Sequence, residues 1–135
     1  MKITVGDAIP EWVMESVSAE RMRTMAAILR DPNPIHWDRD AVEALPLNLG
    51  RRTINQGPLG LAYIINMLHA WTGPTSLRRV KMTFPQVVLD GERVVAKGIV
   101  TGIESDRVHC DVWLEEASRG ILLSGTATVV PDRQV

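Results

Sequence analysis

Leu59-Gly60-Leu61-Ala62-Tyr63-Ile64-Ile65-Asn66-Met67-Leu68-His69-Ala70-Trp71 is the stretch that decides the fold. Gly57-Pro58 leads into it and Thr72-Gly73-Pro74 leads out. Proline in the first turn and glycine past the end is the usual asymmetry of a helix. Apart from a narrow line of Tyr63, Asn66 and His69, the segment is apolar on every side, so it is expected to be surrounded by protein. It would rise about 20 Å at about 1.5 Å per residue, whereas a membrane span needs roughly 20 apolar residues. It therefore reads as a buried helix. The 135 residues have the size of one ordinary domain, spanning 1–135. In a domain this small, enclosure implies a sheet wrapped around the helix.

The sequence after the helix supplies that sheet. Arg78 to Phe84 alternates, with Val80, Met82 and Phe84 on one side and Arg79, Lys81 and Thr83 on the other. Asp90-Gly91 marks a turn, and Arg93 to Ile103 is rich in β-branched residues. Arg107 to Glu115 sets Val108, Cys110, Val112 and Leu114 against Arg107, His109, Asp111 and Glu115. Ile121 to Val130 sets Ile121, Leu123, Ala127 and Val129 against Ser124, Thr126 and Thr128. A period of two marks strands with one face buried, as in an antiparallel sheet.

Upstream, Ile3 to Val5 reads as a short strand stopped by Gly6-Asp7 and Pro10. Ser18 is placed to cap a helix running to about Arg30, whose apolar face is Met22, Met25, Ala26 and Leu29. Asp31-Pro32-Asn33-Pro34 must end that helix, because each proline drives the preceding residue out of the helical region. A second short helix starts near Asp38 and carries Ala41, Val42 and Leu45. Helices first and strands after them indicate an α+β domain.

Composition removes several function classes. A net charge of −1 offers no basic field for a nucleic-acid backbone. Cys110 is the only cysteine, so neither a disulfide framework nor a thiolate metal cluster can form within the chain. A lone thiol fits a reducing cytoplasm. The opening MKITVGDAIPEW has acidic residues and a proline before any apolar run, unlike a signal peptide. His36, His69 and His109 lack the close spacing of a zinc site, and no cofactor motif is present.

The chemistry concentrates in Asp31-Pro32-Asn33-Pro34-Ile35-His36-Trp37-Asp38. Two prolines stiffen a loop that holds a carboxylate and an imidazole five positions apart. Proton transfer needs such a pair fixed before substrate arrives. Asn33 between them can bond backbone groups and shape the turn. On pattern alone an Asx-Pro turn with a satisfied histidine is the commoner arrangement, and both readings stand at this point.

Asp31, Asn33-Pro34, His36, Asp38 and Ala41 match D-x-N-P-x-H-x-D-x-x-A, and the chain here resembles the MaoC-like, R-specific enoyl-CoA hydratases. The likeness extends over nearly the whole chain, because the fold of that family is a hotdog, an antiparallel sheet around a long central helix. Phe84-Pro85 and Asp90-Gly91 are similar to the proline and turn that precede the later strands in the family. The resemblance implies hydration of trans-2-enoyl thioesters, or dehydration of (3R)-3-hydroxyacyl thioesters, in fatty acid metabolism. It implies that Asp31 and His36 hold and activate the water, and that the Gly57 N–H stabilises the enolate oxygen. A helix N-terminus is physically suited to that task, since its N–H groups are free and its dipole end is positive. The substrate carrier would be coenzyme A or acyl carrier protein, with no other cofactor. The partner would be a second hotdog subunit, in a homodimer or a heterodimer.

The sequence departs from the family in one place. The family opens this helix with His-Gly, and here it is Gln56-Gly57, preceded by Asn55. A backbone donor survives the change, but glutamine cannot act as a base. Some family members are half of a heteromeric pair, and this chain, with its Asp and His, would be the catalytic half. A thioesterase on the same fold would not need the paired Asp31 and His36.

Gln56, Asn33, Tyr63 and Trp37 are the candidate substrate-binding residues, with Trp37 also readable as packing and Tyr63 as a subunit contact. Arg51-Arg52 and Arg78-Arg79 are candidate phosphate contacts. His69 reads as a satisfied buried or interface histidine, His109 as solvated, and Cys110 as a small core residue.

Overall fold

A computed structural model of the chain describes residues 1–133. Its elements are β1 (Trp12–Met14), α1 (Ala19–Leu29), a single 3₁₀ turn (Pro34–His36), α2 (Arg39–Glu43), α3 (Gly57–Thr72), β2 (Leu77–Thr83), β3 (Val94–Glu104), β4 (Arg107–Glu116) and β5 (Gly120–Val129). The strands form one antiparallel sheet in the order β1-β3-β4-β5-β2. The sheet curls so that every strand touches α3. This is the α+β hotdog arrangement that the sequence predicts.

The core lies between α3 and the concave face of the sheet. Ile64, Met67 and Leu68 on the helix meet Val94, Ala96, Val100, Val108, Cys110, Val112, Leu114, Leu123, Ala127 and Val129. Fully burying each large side chain is worth about 1.5–3 kcal/mol, and these contacts are what hold a helix that lacks a side-chain cap at its start. The close approach of the outer strands depends on a glycine. A Cβ at Gly125 would stand 1.9 Å from the Lys81 carbonyl oxygen, so only glycine lets β2 pair with β5 there.

Several expectations are corrected. The helix is not enclosed all round: Asn66 and Ala70 are exposed and Leu61, Ala62 and Ile65 only half-buried. Five strands cover one side of α3 and leave the other open in a single chain. Tyr63, grouped with the polar line, is buried and stacks on Trp12 with ring centroids 5.6 Å apart.

Ile3–Val5 forms no strand. Thr4 to Asp7 is a turn through Gly6 at φ 95°, an isolated bridge joins Ala8 to Ile99, and the first strand, β1, follows only after Pro10. Ile121 is exposed while Leu122 is buried. Leu114 pairs with Leu123 but Glu115 pairs with Ile121, so Leu122 is the extra residue of a β-bulge that reverses the expected face. Finally, Leu29 on α1 and Phe84 beyond β2 are exposed, although the apolar periodicity places both in the core.

The cap predicted at Ser18 is present, and Asp38, where the second helix is expected to start, caps it. The Ser18 side chain accepts from the Arg21 N–H, and the Asp38 side chain accepts from those of Asp40 and Ala41. No helix among the described residues is long and apolar enough to cross a membrane.

Candidate active site

α1 ends abruptly. Arg30 takes the left-handed conformation (φ 51°), and the N–H groups of Arg30 and Asp31 bond the carbonyls of Ala27 and Ala26. This closure delivers Asp31 to the start of the proline loop. One carboxylate oxygen, Oδ1, accepts from the Asn33 N–H at 3.1 Å, and Asn33 Oδ1 in turn accepts from the Ile35 N–H at 3.3 Å. Each side chain mimics a turn of backbone, which is how short polar residues shape loops. The 3₁₀ turn then brings His36 back toward Asp31.

Asp31 Oδ2 and His36 Nε2 are 3.3 Å apart. The other imidazole nitrogen lies 2.7 Å from the Ile54 carbonyl oxygen. A carbonyl can only accept, so Nδ1 carries a proton and donates it. In the neutral ring Nε2 is then an acceptor facing an acceptor-only carboxylate. Two acceptors in contact require a hydrogen donor between or upon them. A water can fill that role by directing one O–H to each. His36 is buried and Asp31 partly exposed, so one edge of the pair is open to solvent.

Ile54 belongs to a short strap that links the loop to α3. Its N–H donates to the Ile35 carbonyl at 2.9 Å, the Asn55 N–H donates to Val88 at 2.7 Å, and the Asp90 N–H donates to Thr53 at 2.9 Å. Gln56 follows as the N-cap residue of α3, then Gly57 and Pro58. Proline has no N–H, and the N–H groups of Leu59 and Gly60 both turn back to the Gln56 carbonyl. The Gly57 N–H has no acceptor among the described residues, and it sits at the positive end of a sixteen-residue helix. The ring of Phe84 packs against the Cα side of this glycine, with Cε1 3.4 Å from where a Cβ would stand.

The candidate residues therefore divide. Asp31 and His36 touch, and His36 is anchored three residues before Gly57. Gln56 is turned inward: its Nε2 donates to the Met22 carbonyl at 2.7 Å, tying α1 to the start of α3. Tyr63 is in the core beneath Trp12, its hydroxyl 3.5 Å from Asn55 Oδ1. Asn33 and Trp37 are exposed, and Trp37 contacts neither end of the Asp–His pair through a hydrogen bond. Arg51 bonds Asp40 and Glu43, each at 2.6 Å, so its guanidinium is already shared between two carboxylates. Among the described residues no three His, Cys, Asp or Glu side chains converge as metal ligands would.

Sequence reading missed the group that holds the strap. Asp90, read only as a turn residue, is buried and accepts from the Thr53 N–H and hydroxyl at 2.6 Å each and from Arg39 at 3.0 Å. Burial alone would raise its pKa, but the Thr53 hydroxyl and N–H and then the Arg39 guanidinium outweigh it and hold the carboxyl below its usual value. Thr53, Arg39 and Asp90 are far apart in sequence, so no local motif signals them. Glu92 is a second buried carboxylate in this loop, paired with Arg119 at 2.7 Å and accepting from the Leu89 N–H.

Residues 5–118 match the family model described as MaoC like domain. No curated protein matches the chain. Solved structures do. The R-hydratase PhaJ1 from Pseudomonas aeruginosa is 19% identical, with a TM-score of 0.85 over 98% of this chain and 84% of that one. The (R)-hydratase from A. caviae involved in PHA biosynthesis is 20% identical, with a TM-score of 0.85 over 96% and 98%. The ChsH1-ChsH2 complex from Mycobacterium tuberculosis contains a chain 17% identical, with a TM-score of 0.83 over 97% and 100%.

Proposed function

The chain belongs to the MaoC-like dehydratase family of enzymes, and from that premise we propose that it is an (R)-specific hydratase of trans-2-enoyl thioesters, or the reverse dehydratase of (3R)-3-hydroxyacyl thioesters. The observation that carries the reading is the Asp31–His36 contact, 3.3 Å long, with the imidazole tautomer set by Ile54. In the forward direction Asp31 and His36 each accept a hydrogen from one water. Its oxygen attacks the β-carbon as the pair withdraws a proton, and a proton is returned to the α-carbon. Negative charge then collects on the thioester oxygen. The Gly57 N–H is the donor assigned to it, and in other enzymes one such donor contributes on the order of 3 kcal/mol to lowering the barrier. The (R) configuration is taken from the two hydratases of like fold.

A second hotdog subunit is the partner this reading requires. α1 leaves Ile28 68% exposed and the site loop leaves Trp37 45% exposed, and apolar surface of this kind beside a site favours association. The ChsH1-ChsH2 structure is a complex of the same fold. The carrier on the thioester is coenzyme A or acyl carrier protein, and the compartment is the cytoplasm, where a single buried thiol stays reduced.

Incubating the purified protein with short and bulky enoyl-CoA thioesters, and following products by mass spectrometry, tests the reading. Gain of one water with the thioester intact is the expected result. Release of free coenzyme A would replace it with a thioesterase. Activity that appears only on adding a second hotdog subunit would identify the heteromer.

A further inference from the structure

At the start of α3 lies a cavity of about 160 Å³, lined by Ile54, Asn55, Gly57, Gly60, Phe84 and Leu123 among others. Most of this wall is apolar. Two polar groups stand out: Asn55, only 6% exposed, has an Nδ2 with no hydrogen-bond partner, and Gln56 next to it leaves its Oε1 without one. That nitrogen is at the cavity wall, because it lies 3.9 Å from where a Cβ of Gly60 would stand, beside the Leu123 methyl groups. The rest of Asn55 is fixed. Its N–H bonds the Val88 carbonyl, and its Oδ1 faces the Tyr63 hydroxyl. With Oδ1 turned to Tyr63, Nδ2 is the amide atom left toward the cavity.

A buried donor left unpaired costs free energy, and the fold keeps one here beside the assigned oxyanion donor. We propose that this cavity is a specificity subsite for a short acyl chain bearing a hydroxyl or keto oxygen, which accepts a hydrogen bond from Asn55 Nδ2. The proposal rests on the hydratase reading above and names its substrate class. Protein cavities of about 150 Å³ admit a benzene-sized guest, so the occupant has about six heavy atoms. Gly60 keeps the cavity open, since any Cβ there would meet Leu123 Cδ2 at 2.9 Å. An apolar chain of the same length fits the volume but leaves Asn55 unpaired. Sites built to hydrogen-bond a substrate discriminate strongly against analogues that lack the bonding group.

The test compares trans-2-hexenoyl-CoA with its 5-hydroxy and 5-oxo derivatives. The oxygenated substrates are expected to show kcat/KM at least about tenfold higher, and Asn55→Leu and the gentler Asn55→Asp are each expected to bring the ratio to about one or below. Binding of the saturated hexanoyl-CoA and 5-oxohexanoyl-CoA is measured in parallel by calorimetry. Hydration of all three substrates without preference, the sign that only an ordered water serves Asn55, would overturn the subsite and leave the reaction standing. Selective binding of 5-oxohexanoyl-CoA without any hydration would overturn the reaction and leave the subsite standing.

Discussion

Between Asp31 and Gln56 the chain is held by single hydrogen bonds to particular groups, whereas from Val94 to Val129 it is held by continuous ladders and an apolar face. In the first region Asp31 bonds Asn33, His36 bonds Ile54, Thr53 bonds Asp90 and Gln56 bonds Met22. Each bond is one of only a few constraints on the group it holds, so one substitution can move the site. In the second, β3, β4 and β5 pair along nearly their full lengths and bury Val94, Ala96, Cys110, Val112, Leu114 and Val129. Their contribution is spread over many similar contacts. The first region places the candidate catalytic groups, and the second supplies the stability that lets it do so.

Substitutions in the two regions should separate activity from stability. Asp31→Asn and His36→Ala are expected to lower turnover by at least about a hundredfold, the usual scale of general acid–base catalysis, while the melting temperature changes little. Near-normal rates in a folded Asp31→Asn protein would break the comparison at its centre. Leu114→Ala should do the opposite. It is expected to cost about 2–5 kcal/mol in denaturant unfolding with kcat retained in the folded fraction.

Asp90→Asn tests whether a residue outside the Asp–His pair governs the strap. It is expected to cost about 2 kcal/mol, since it weakens bonds from Thr53 and Arg39 to a charged acceptor, and to lower activity through displacement of Ile54. The pH dependence sharpens this. The carboxyl of Asp90 is held below its usual value in the folded chain, so its contribution is present above the unfolded pKa of about 3.9. That contribution is lost as pH falls from there through the folded value. Acid titration of stability should show this loss in the parent and less of it in Asp90→Asn.

The smallest effects belong to side chains that sequence reading already set aside. His109 bonds the Thr128 hydroxyl at 3.0 Å on the half-exposed face of β4. His109→Gln is expected to change stability by no more than about 0.5 kcal/mol and leave turnover unaltered. Burial, with a smaller effect of Asp111, pushes the Cys110 thiol up to about 11. Thiol titration at pH 8 should find it unreactive until the protein unfolds.

Periodicity and end signals made β2 to β5, the central helix and the Ser18 cap legible, because each depends on neighbours in sequence. The proline-stiffened loop was legible for the same reason, and so was the pairing of Asp31 with His36. What failed was local pattern overruled by distant contact. A bulge against β4 exchanged Leu122 for Ile121 as the buried residue, and a sheet that covers only one side left part of α3 open.

The chain by itself determined where apolar faces recur, where backbone must turn, and which acid and base share a stiff loop. Tertiary structure decided the imidazole tautomer, the inward turn of Gln56, the burial of Asp90 and the unpaired amide of Asn55. Those are properties of groups brought together from far along the chain. A hydrogen bond acts only across about 3 Å, and no spacing rule foretells which distant carbonyl or carboxylate will stand within that reach.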